Sequence, residues 1–518
     1  MTRHLLLSAA TFMALVAGSA RANPSEGAIA ASAPSSLGRS SKAELARFLN
    51  IPGGKTVVTA TDKTLPRVAS NSFDRLLLWN EVALDTTAID HTPIATGGDP
   101  LAFGEQFGPH RASRAMAIVH IAMFDAANAI DPRFQSYDKL APVTGPVSVD
   151  RAMAQAAHDT LVWLYPHQQA RLDALLAQDV LTIVGDPGAL AAGKALGHHA
   201  AVLIIKRRTN DGSELPEQNV GDGPDDFHVT NAPGKWSPDP VSGLQITFGT
   251  RWGSVKPFVL LSGDQYRPAP PPALDSAEYA RSFNGVKALG ADGVHTPTTR
   301  TARQSFIGRF WGYDGTPALC APPRLYNMIA RTVALQGGIA NVTEMARYMA
   351  LINTVMGDAG ISAWDSKWFY QEWRPVIGIR NANSATNPKT VADPNWYPSG
   401  APATNTSGPN FTPPFPAYPS GHATFGGALF ETLRLYFPNM TKFTFISDEF
   451  NGLNRDVDGT IRPLRPETFH SLSEAEHDNA QSRIYNGVHW EFDATAGINE
   501  GHSVARFVMA HAFQRLSR

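Results

Sequence analysis

Three short patterns in the C-terminal half carry residue types that could hold and transform an oxyanion. The first is Lys367 with Arg374 and Pro375, in the segment Trp364-Asp-Ser-Lys-Trp-Phe-Tyr-Gln-Glu-Trp-Arg-Pro. On one continuous helix that spacing is nearly two turns, so both cations would leave the same face and converge on one anion. Alone, the pair reads as a solvated basic stripe. The second is Pro419-Ser420-Gly421-His422, running into Ala-Thr-Phe-Gly-Gly-Ala-Leu-Phe. Ser420 suits a helix N-cap, where free N–H groups, the hydroxyl and the positive end of the helix dipole form an anion cradle. Gly421 lets backbone approach a ligand closely, and His422 adds a titratable nitrogen at the rim. The third joins Ser482 and Arg483 to His489 and Asp493. His489 and Asp493 stand about one helical turn apart, so the carboxylate can fix the imidazole's orientation and tautomer. Asn486-Gly487 breaks the helix between Arg483 and His489, which lets both face one pocket.

Together the patterns supply three cations, helix-terminal donors and two histidines. That inventory fits a tetrahedral or trigonal-bipyramidal oxyanion bound by a nucleophilic or ligating nitrogen, with the second histidine as acid–base. A protein that merely binds such an oxyanion is the non-enzymatic alternative, but simple binding gains little from a second histidine poised for proton transfer. An earlier Pro398-Ser399-Gly400 is followed by Ala401 instead of histidine and reads as a plain helix cap.

The elements that must position these residues are helices. Apolar residues recur at helical spacing over 76–84, 112–129, 152–164, 170–180 and 189–205, and again over 301–310, 323–334, 343–356, 364–379, 422–436, 473–485 and 489–513. Alternating strand patterns are nearly absent. The fold class is therefore mainly α: two helical, four-helix-type bundles with long ordered loops, and the active site in the C-terminal bundle. Residues 208–300, rich in Pro, Gly and Asp, read as a long irregular connection. The nine prolines between Asn381 and Ser420 exclude helix there and predict an ordered functional loop. One stretch recurs: Arg114-Ala-Met-Ala-Ile-Val-His-Ile-Ala-Met-Phe-Asp125-Ala aligns with Arg347-Tyr-Met-Ala-Leu-Ile-Asn-Thr-Val-Met-Gly-Asp358-Ala. Either two buried helices share a composition or the bundles are duplicated.

The chain has 518 residues, 44 Lys and Arg against 46 Asp and Glu, and a net charge of −2, so it lacks the electrostatic footprint of a nucleic-acid binder. A single cysteine, Cys320, excludes an intramolecular disulfide, thiolate zinc sites and iron–sulfur clusters. Arg3 and His4 precede an apolar run to Ala20, and Ala20-Arg21-Ala22 offers a cleavage site, so residues 1–22 read as a signal peptide and the product as periplasmic or secreted. No other run reaches the length of a membrane span. Residues 23–70 read as a flexible N-terminal segment, 71–300 as the N-terminal bundle with its connection, and 301–518 as the C-terminal bundle holding the oxyanion site.

The three motifs in this order resemble the superfamily that joins phosphatidic acid phosphatase type 2 and bacterial class A acid phosphatases to the vanadium-dependent haloperoxidases. The surroundings resemble the haloperoxidase branch, specifically the fungal-type chloroperoxidases, in residues 400–406, 415–428, Asn451-Gly-Leu-Asn-Arg-Asp456 and Gly487-Val-His-Trp-Glu-Phe-Asp-Ala494. The likeness is strong over 306–497 and weaker over 79–130, where Pro109-His-Arg-Ala-Ser-Arg-Ala carries it. The resemblance implies vanadate held by a direct bond to His489, with Lys367, Arg374, Ser420, Gly421 and Arg483 on its equatorial oxygens. It implies that His422 is the acid–base that helps load hydrogen peroxide, and that Lys367 polarises the bound peroxide for attack by halide. Asp314, in Trp311-Gly-Tyr-Asp-Gly, matches an aspartate that pairs with the arginine at Arg483. Trp364 and Phe415 match apolar positions beside the vanadate in chloroperoxidases, whereas algal bromoperoxidases carry histidine at the Phe415 position. The substrates implied are hydrogen peroxide, a halide ion and a small organic acceptor. The alternative is a secreted acid phosphatase in which His489 is phosphorylated and His422 protonates the leaving group.

Overall fold

The computed structural model describes residues 29, 31–49, 68–93, 100–440 and 442–517. The signal peptide read over 1–22 lies outside these residues, as does much of the segment 23–70. Among the described residues the architecture is helical. The first bundle is built from α2 (Ser72–Asp90), α3 (Pro109–Ile130), α4 (Val149–Leu164) and α6 (Pro187–Arg208), with α5 (Gln169–Val180) beside α4. The second is built from α9 (Pro322–Gln336), α10 (Val342–Tyr370), α12 (Gly421–Tyr436), α13 (Leu472–Tyr485) and α14 (Glu491–His511), with α8 (Ala302–Phe310) against α13. Its tightest pairing is α12 with α14, where Gly427 and Gly501 remove the side chains that would otherwise collide with the facing backbone. A two-stranded antiparallel ribbon, β1 (Phe443–Phe445) on β2 (Glu467–Phe469), pairs Thr444 with Thr468.

The 29-residue α10 is the spine of the molecule: it packs on α3 of the first bundle and on α12 and α14 of the second. The recurring sequence stretch lies on these two facing helices, and its two aspartates do the same work. Asp125 accepts from the Ser136 hydroxyl and the Tyr137 and Asp138 N–H groups, and Asp358 from the Phe258, Val259 and Leu260 N–H groups. Each carboxylate thus docks a crossing strand of loop onto its helix, which favours duplicated bundles over a shared composition.

The structure departs from the sequence expectations in five places. α1 (Arg39–Phe48) lies inside the segment read as flexible, and Leu37, Leu45 and Leu49 are buried in the core. α7 (Ala277–Leu289) lies inside the segment read as irregular; Ser276 caps it, and Tyr279, Phe283 and Val286 bury its inner face. The helix expected over 364–379 is two helices, because α10 ends at Tyr370 and α11 (Pro375–Arg380) begins after a break. Ser399 and Gly400 cap no helix; Gly400 sits at φ +75° and Ala401 pairs with Phe411 within the proline-rich loop. Finally, α6 is long and apolar enough to cross a membrane by length and composition, yet Leu196, Ala200, Ala201, Ile204 and Ile205 are buried. Its partners there are α4 and α3, so this is the apolar face of a core helix. The loop 381–420, by contrast, is ordered and helix-free as its prolines require.

Candidate active site

Four chain breaks bring the cradle together. Gln371 takes a left-handed conformation, φ 55°, and stops α10 one turn beyond Lys367. Pro375 then disfavours helical backbone at Arg374, which adopts extended geometry as the N-cap of α11. Lys367 and Arg374 therefore converge across a break instead of along one helical face. Ser420 caps α12, its hydroxyl accepting from the Ala423 N–H at 3.4 Å. Gly487, at φ +70°, turns the chain between α13 and α14; a Cβ there would lie 2.4 Å from the Gly290 carbonyl. The turn presents His489 just ahead of α14, beside Arg483 in the last turn of α13.

All three cations and both histidines are buried, with Lys367 and Arg483 at 0% exposure and His422 the most open at 7%. Lys367 Nζ donates to the carbonyls of Pro416, Ala417 and Pro419. Arg374 donates from Nε to the Phe415 carbonyl at 2.8 Å and from Nη1 to the Val488 carbonyl at 2.7 Å. Arg483 grips Asp314 with two bonds of 3.2 and 2.6 Å, as the family resemblance implies. His489 Nδ1 lies 2.9 Å from Asp493 Oδ2, which also accepts from the Trp490 N–H. That bond holds a proton on Nδ1 and leaves Nε2 as the basic nitrogen, where Arg374 Nη1 now donates at 2.9 Å. His422 Nε2 lies 2.7 Å from the Gly312 carbonyl, which places its proton there and the lone pair on Nδ1.

The electrostatics lean toward an anion. Burial, then the charge of Arg374, holds Lys367 well below its ordinary value; burial, then Arg374, Lys367 and Arg483, does the same to His489. Burial and Arg483 depress His422 likewise, and burial lowers Arg374 to about 9. Both rings are thus neutral at ordinary pH, with lone pairs available. Burial raises Asp493 to about 7 and lifts Asp314, against the pull of Arg483. Two buried donors, Arg374 Nη2 and Arg483 Nε, have no hydrogen-bond partner among the described residues. Leaving a buried donor unpaired costs about 1–3 kcal/mol, and an oxyanion would remove that cost. A Cβ on Gly421 would sit 3.4 Å from the Trp364 ring and 3.8 Å from Lys367 Cε, so glycine keeps the cradle open between them. The donor set therefore fits vanadate, whose oxygens accept hydrogen bonds and whose metal takes one nitrogen ligand and no thiolate.

Trp364 and Phe415 stand together, ring centroids 5.1 Å apart, with Lys367 Nζ 5.7 and 5.2 Å from their centres. Sequence reasoning missed what supports this shell. His110 stacks on Trp364 at 5.1 Å and is fixed by Glu217 at 2.9 Å; its segment was visible only as family likeness. Tyr326 and Asn479 hold the His422 carbonyl. Glu500, two helical turns beyond Asp493, accepts from Ser362, Ser366 and Thr424 beneath Lys367. The seven-residue interval from Asp493 is the signal that could have found it.

Comparison with known proteins gives the family. The model of the VCPO second helical-bundle domain matches residues 347–518. The vanadium chloroperoxidase of Curvularia inaequalis is 31% identical over 504 residues, spanning 81% of this chain and 79% of that protein. A solved bacterial vanadium-dependent iodoperoxidase shares the fold with a TM-score of 0.65, at 23% identity over 85% of this chain and 97% of its own. The apo form of a bacterial vanadium-dependent chloroperoxidase does so with a TM-score of 0.58, at 17% identity over 78% and 95%. Fold and cradle together define a haloperoxidase-type enzyme of the phosphatase-like superfamily. The chain belongs to the vanadium-dependent haloperoxidase family.

Proposed function

We propose that the protein uses hydrogen peroxide to oxidise chloride or bromide to hypohalous acid, which halogenates a small organic acceptor. The observation that carries the reading is His489: a buried, neutral imidazole oriented by Asp493, its Nε2 facing a pocket with three cations and two unpaired guanidinium donors. His489 Nε2 would ligate vanadium, exchanging its hydrogen bond from Arg374 for the metal. Lys367, Arg374, Ser420, the Gly421 N–H and Arg483 would hold the oxygens. Bound vanadate supplies a Lewis-acidic centre that activates peroxide without changing its own oxidation state. Overall, halide, hydrogen peroxide and one proton give hypohalous acid and water.

The chain's own groups do the rest. His422 holds or moves the required proton at Nδ1. Asp314 holds Arg483 in place. Lys367 sets positive charge beside Trp364 and Phe415, whose rings exclude water from the side a halide would approach. This dry aromatic pair supports the heavier oxidative task over iodide alone. The leader read over 1–22 supports a periplasmic or secreted site of action. The test is halogenation of an activated diketone with each halide, before and after vanadate loading, beside phosphoester hydrolysis by vanadate-free protein. Vanadate-dependent chlorination or bromination is expected. Strong hydrolysis without vanadate-dependent halogenation would sink the reading in favour of a phosphatase.

A further inference from the structure

The walls around the cradle are mostly leucine, phenylalanine, proline and glycine, and among the described residues no methionine or cysteine lines the cavity. Sulfur side chains are the usual first targets of an oxidant, so these walls offer it little. The most electron-rich ring left among them is the indole of Trp364. Electrophiles attack an indole at its pyrrole carbons, Cγ and Cδ1, and leave the benzo carbons largely alone. The structure treats the two edges differently. The benzo carbons Cζ3 and Cη2 face the cradle, where a Cβ on Gly421 would meet both at 3.4 Å. The pyrrole edge lies under backbone: a Cβ on Gly249 would fall 2.0 Å from Cδ1, 2.5 Å from Nε1 and 3.1 Å from Cγ. Only glycine, here at φ +74°, can lie so close. Nε1 donates to the Phe248 carbonyl at 3.0 Å, and His110 stacks on the ring with its plane within 28°. One carboxylate holds both covers. Glu217 Oε1 lies 2.9 Å from His110 Nε2, and Oε2 accepts from the Gly249 N–H at 2.5 Å. Arg111 Nε anchors that carboxylate at 2.7 Å.

We propose that Gly249, His110 and Glu217 form a guard over Trp364, which turns the inert edge of the indole toward the place where hypohalous acid forms and withholds the reactive edge from it. The reaction withheld is oxidation of the ring. Hypohalous acid would give its halogen to Cγ as a cation, the hydroxide left behind would add at Cδ1, and loss of hydrogen halide would leave an oxindole. The ring gains one oxygen and is oxidised, and the halogen is reduced to halide. The proposal rests on the haloperoxidase reading for the source of the oxidant. His110 belongs to α3 of the first bundle, and Glu217 and Gly249 to the long connection, so parts of the chain remote from the cradle protect it.

Peptide mass spectrometry of the full chain tests it, reading the gain of one oxygen at each tryptophan. In vanadate-free wild type, limiting hypobromous acid is expected to oxidise other tryptophans before Trp364, although Trp364 is the one that lines the cavity among the described residues. His110→Ala uncovers the ring, and oxidation of Trp364 is expected to rise by about fivefold, the factor that loss of one stacked ring pair allows. His110→Phe keeps a ring in place without the bond to Glu217 and is expected to stay near wild type. The same order is expected in vanadate-loaded protein turning over hydrogen peroxide and bromide. Trp364 reacting first in wild type, His110→Ala reacting no faster than wild type, or His110→Phe reacting as fast as His110→Ala each overturns the guard. Absence of any vanadate-dependent turnover in wild type refutes the haloperoxidase reading instead, and the hypobromous acid measurement still decides the guard.

Discussion

Asp493→Asn isolates the charge behind His489 from the shape around it. In the wild type one carboxylate oxygen accepts from both His489 Nδ1 and the Trp490 N–H, each at 2.9 Å, and the other oxygen has no partner among the described residues. An asparagine oxygen can still accept both bonds, so the start of α14 stays capped. What changes is that two charge-assisted bonds become neutral ones, which are about half as strong; at roughly 1.5–3 kcal/mol against about 1, the imidazole loses on the order of 1–2 kcal/mol of support. Loss of an orienting carboxylate behind a metal-bound histidine typically weakens binding by about 10–100-fold, or about 1.4–2.8 kcal/mol. The two figures overlap near a 10–30-fold weaker grip on vanadate. Equilibrium dialysis against vanadate at pH 8 measures it, because burial lifts Asp493 to about 7 and the carboxylate is charged only above that value. At pH 5.5 wild type itself carries a neutral acid, and the gap between the two proteins narrows. Asp493→Asn binding vanadate within twofold of wild type at pH 8 would refute the assignment of His489 Nε2 as the supported ligand.

Further expectations follow from the same geometry. His489→Ala loses vanadate retention, while His422→Ala retains much of it and loses halogenation turnover; equal retention by wild type and His489→Ala removes the ligand assignment. Asp314→Ala leaves the buried Arg483 guanidinium without its carboxylate and costs about 3–5 kcal/mol of stability in denaturant titration, since the pair is only 1% and 3% exposed; a loss under about 1 kcal/mol contradicts the idea that this pair is a closed, desolvated contact. Glu500, raised by burial from 4.5 to about 7, keeps a proton in the native protein that the unfolded chain releases. The stability it contributes is therefore present below pH 4.5 and is lost as pH rises through about 7. Glu500→Gln removes that loss, so the variant matches wild type near pH 4.5 and exceeds it by up to about 3 kcal/mol above pH 8. A constant difference across this range would show that Glu500 does not titrate on unfolding.

The chemistry of the site was legible because it sits at chain breaks, and breaks are written in single residues. Gly487, Pro375 and Ser420 each announce a local conformation through φ freedom, a missing donor or a capping hydroxyl. The reading of Lys367 and Arg374 as neighbours on one face erred for the same reason in reverse: the periodicity of Trp364 to Ile379 was weighed above the effect of Pro375 on the residue before it. The two residues meet all the same, since a left-handed Gln371 and an extended Arg374 turn the chain back over the cradle. What stayed illegible is what depends on distant partners. α1 has only ten residues and no capping side chain at its start, so nothing local distinguishes it from the loose sequence around it. It is a helix because Leu37, Leu45 and Leu49 find the core and because Asn219 and the Gln245 N–H await its polar side. Helices this short gain their stability from packing, not propensity. The same holds for Glu500 and His110, ordinary helical residues until α10, α12 and the loop carrying Glu217 are folded against them. Local signals thus fixed where the reacting groups gather, and tertiary packing alone fixed what surrounds and covers them.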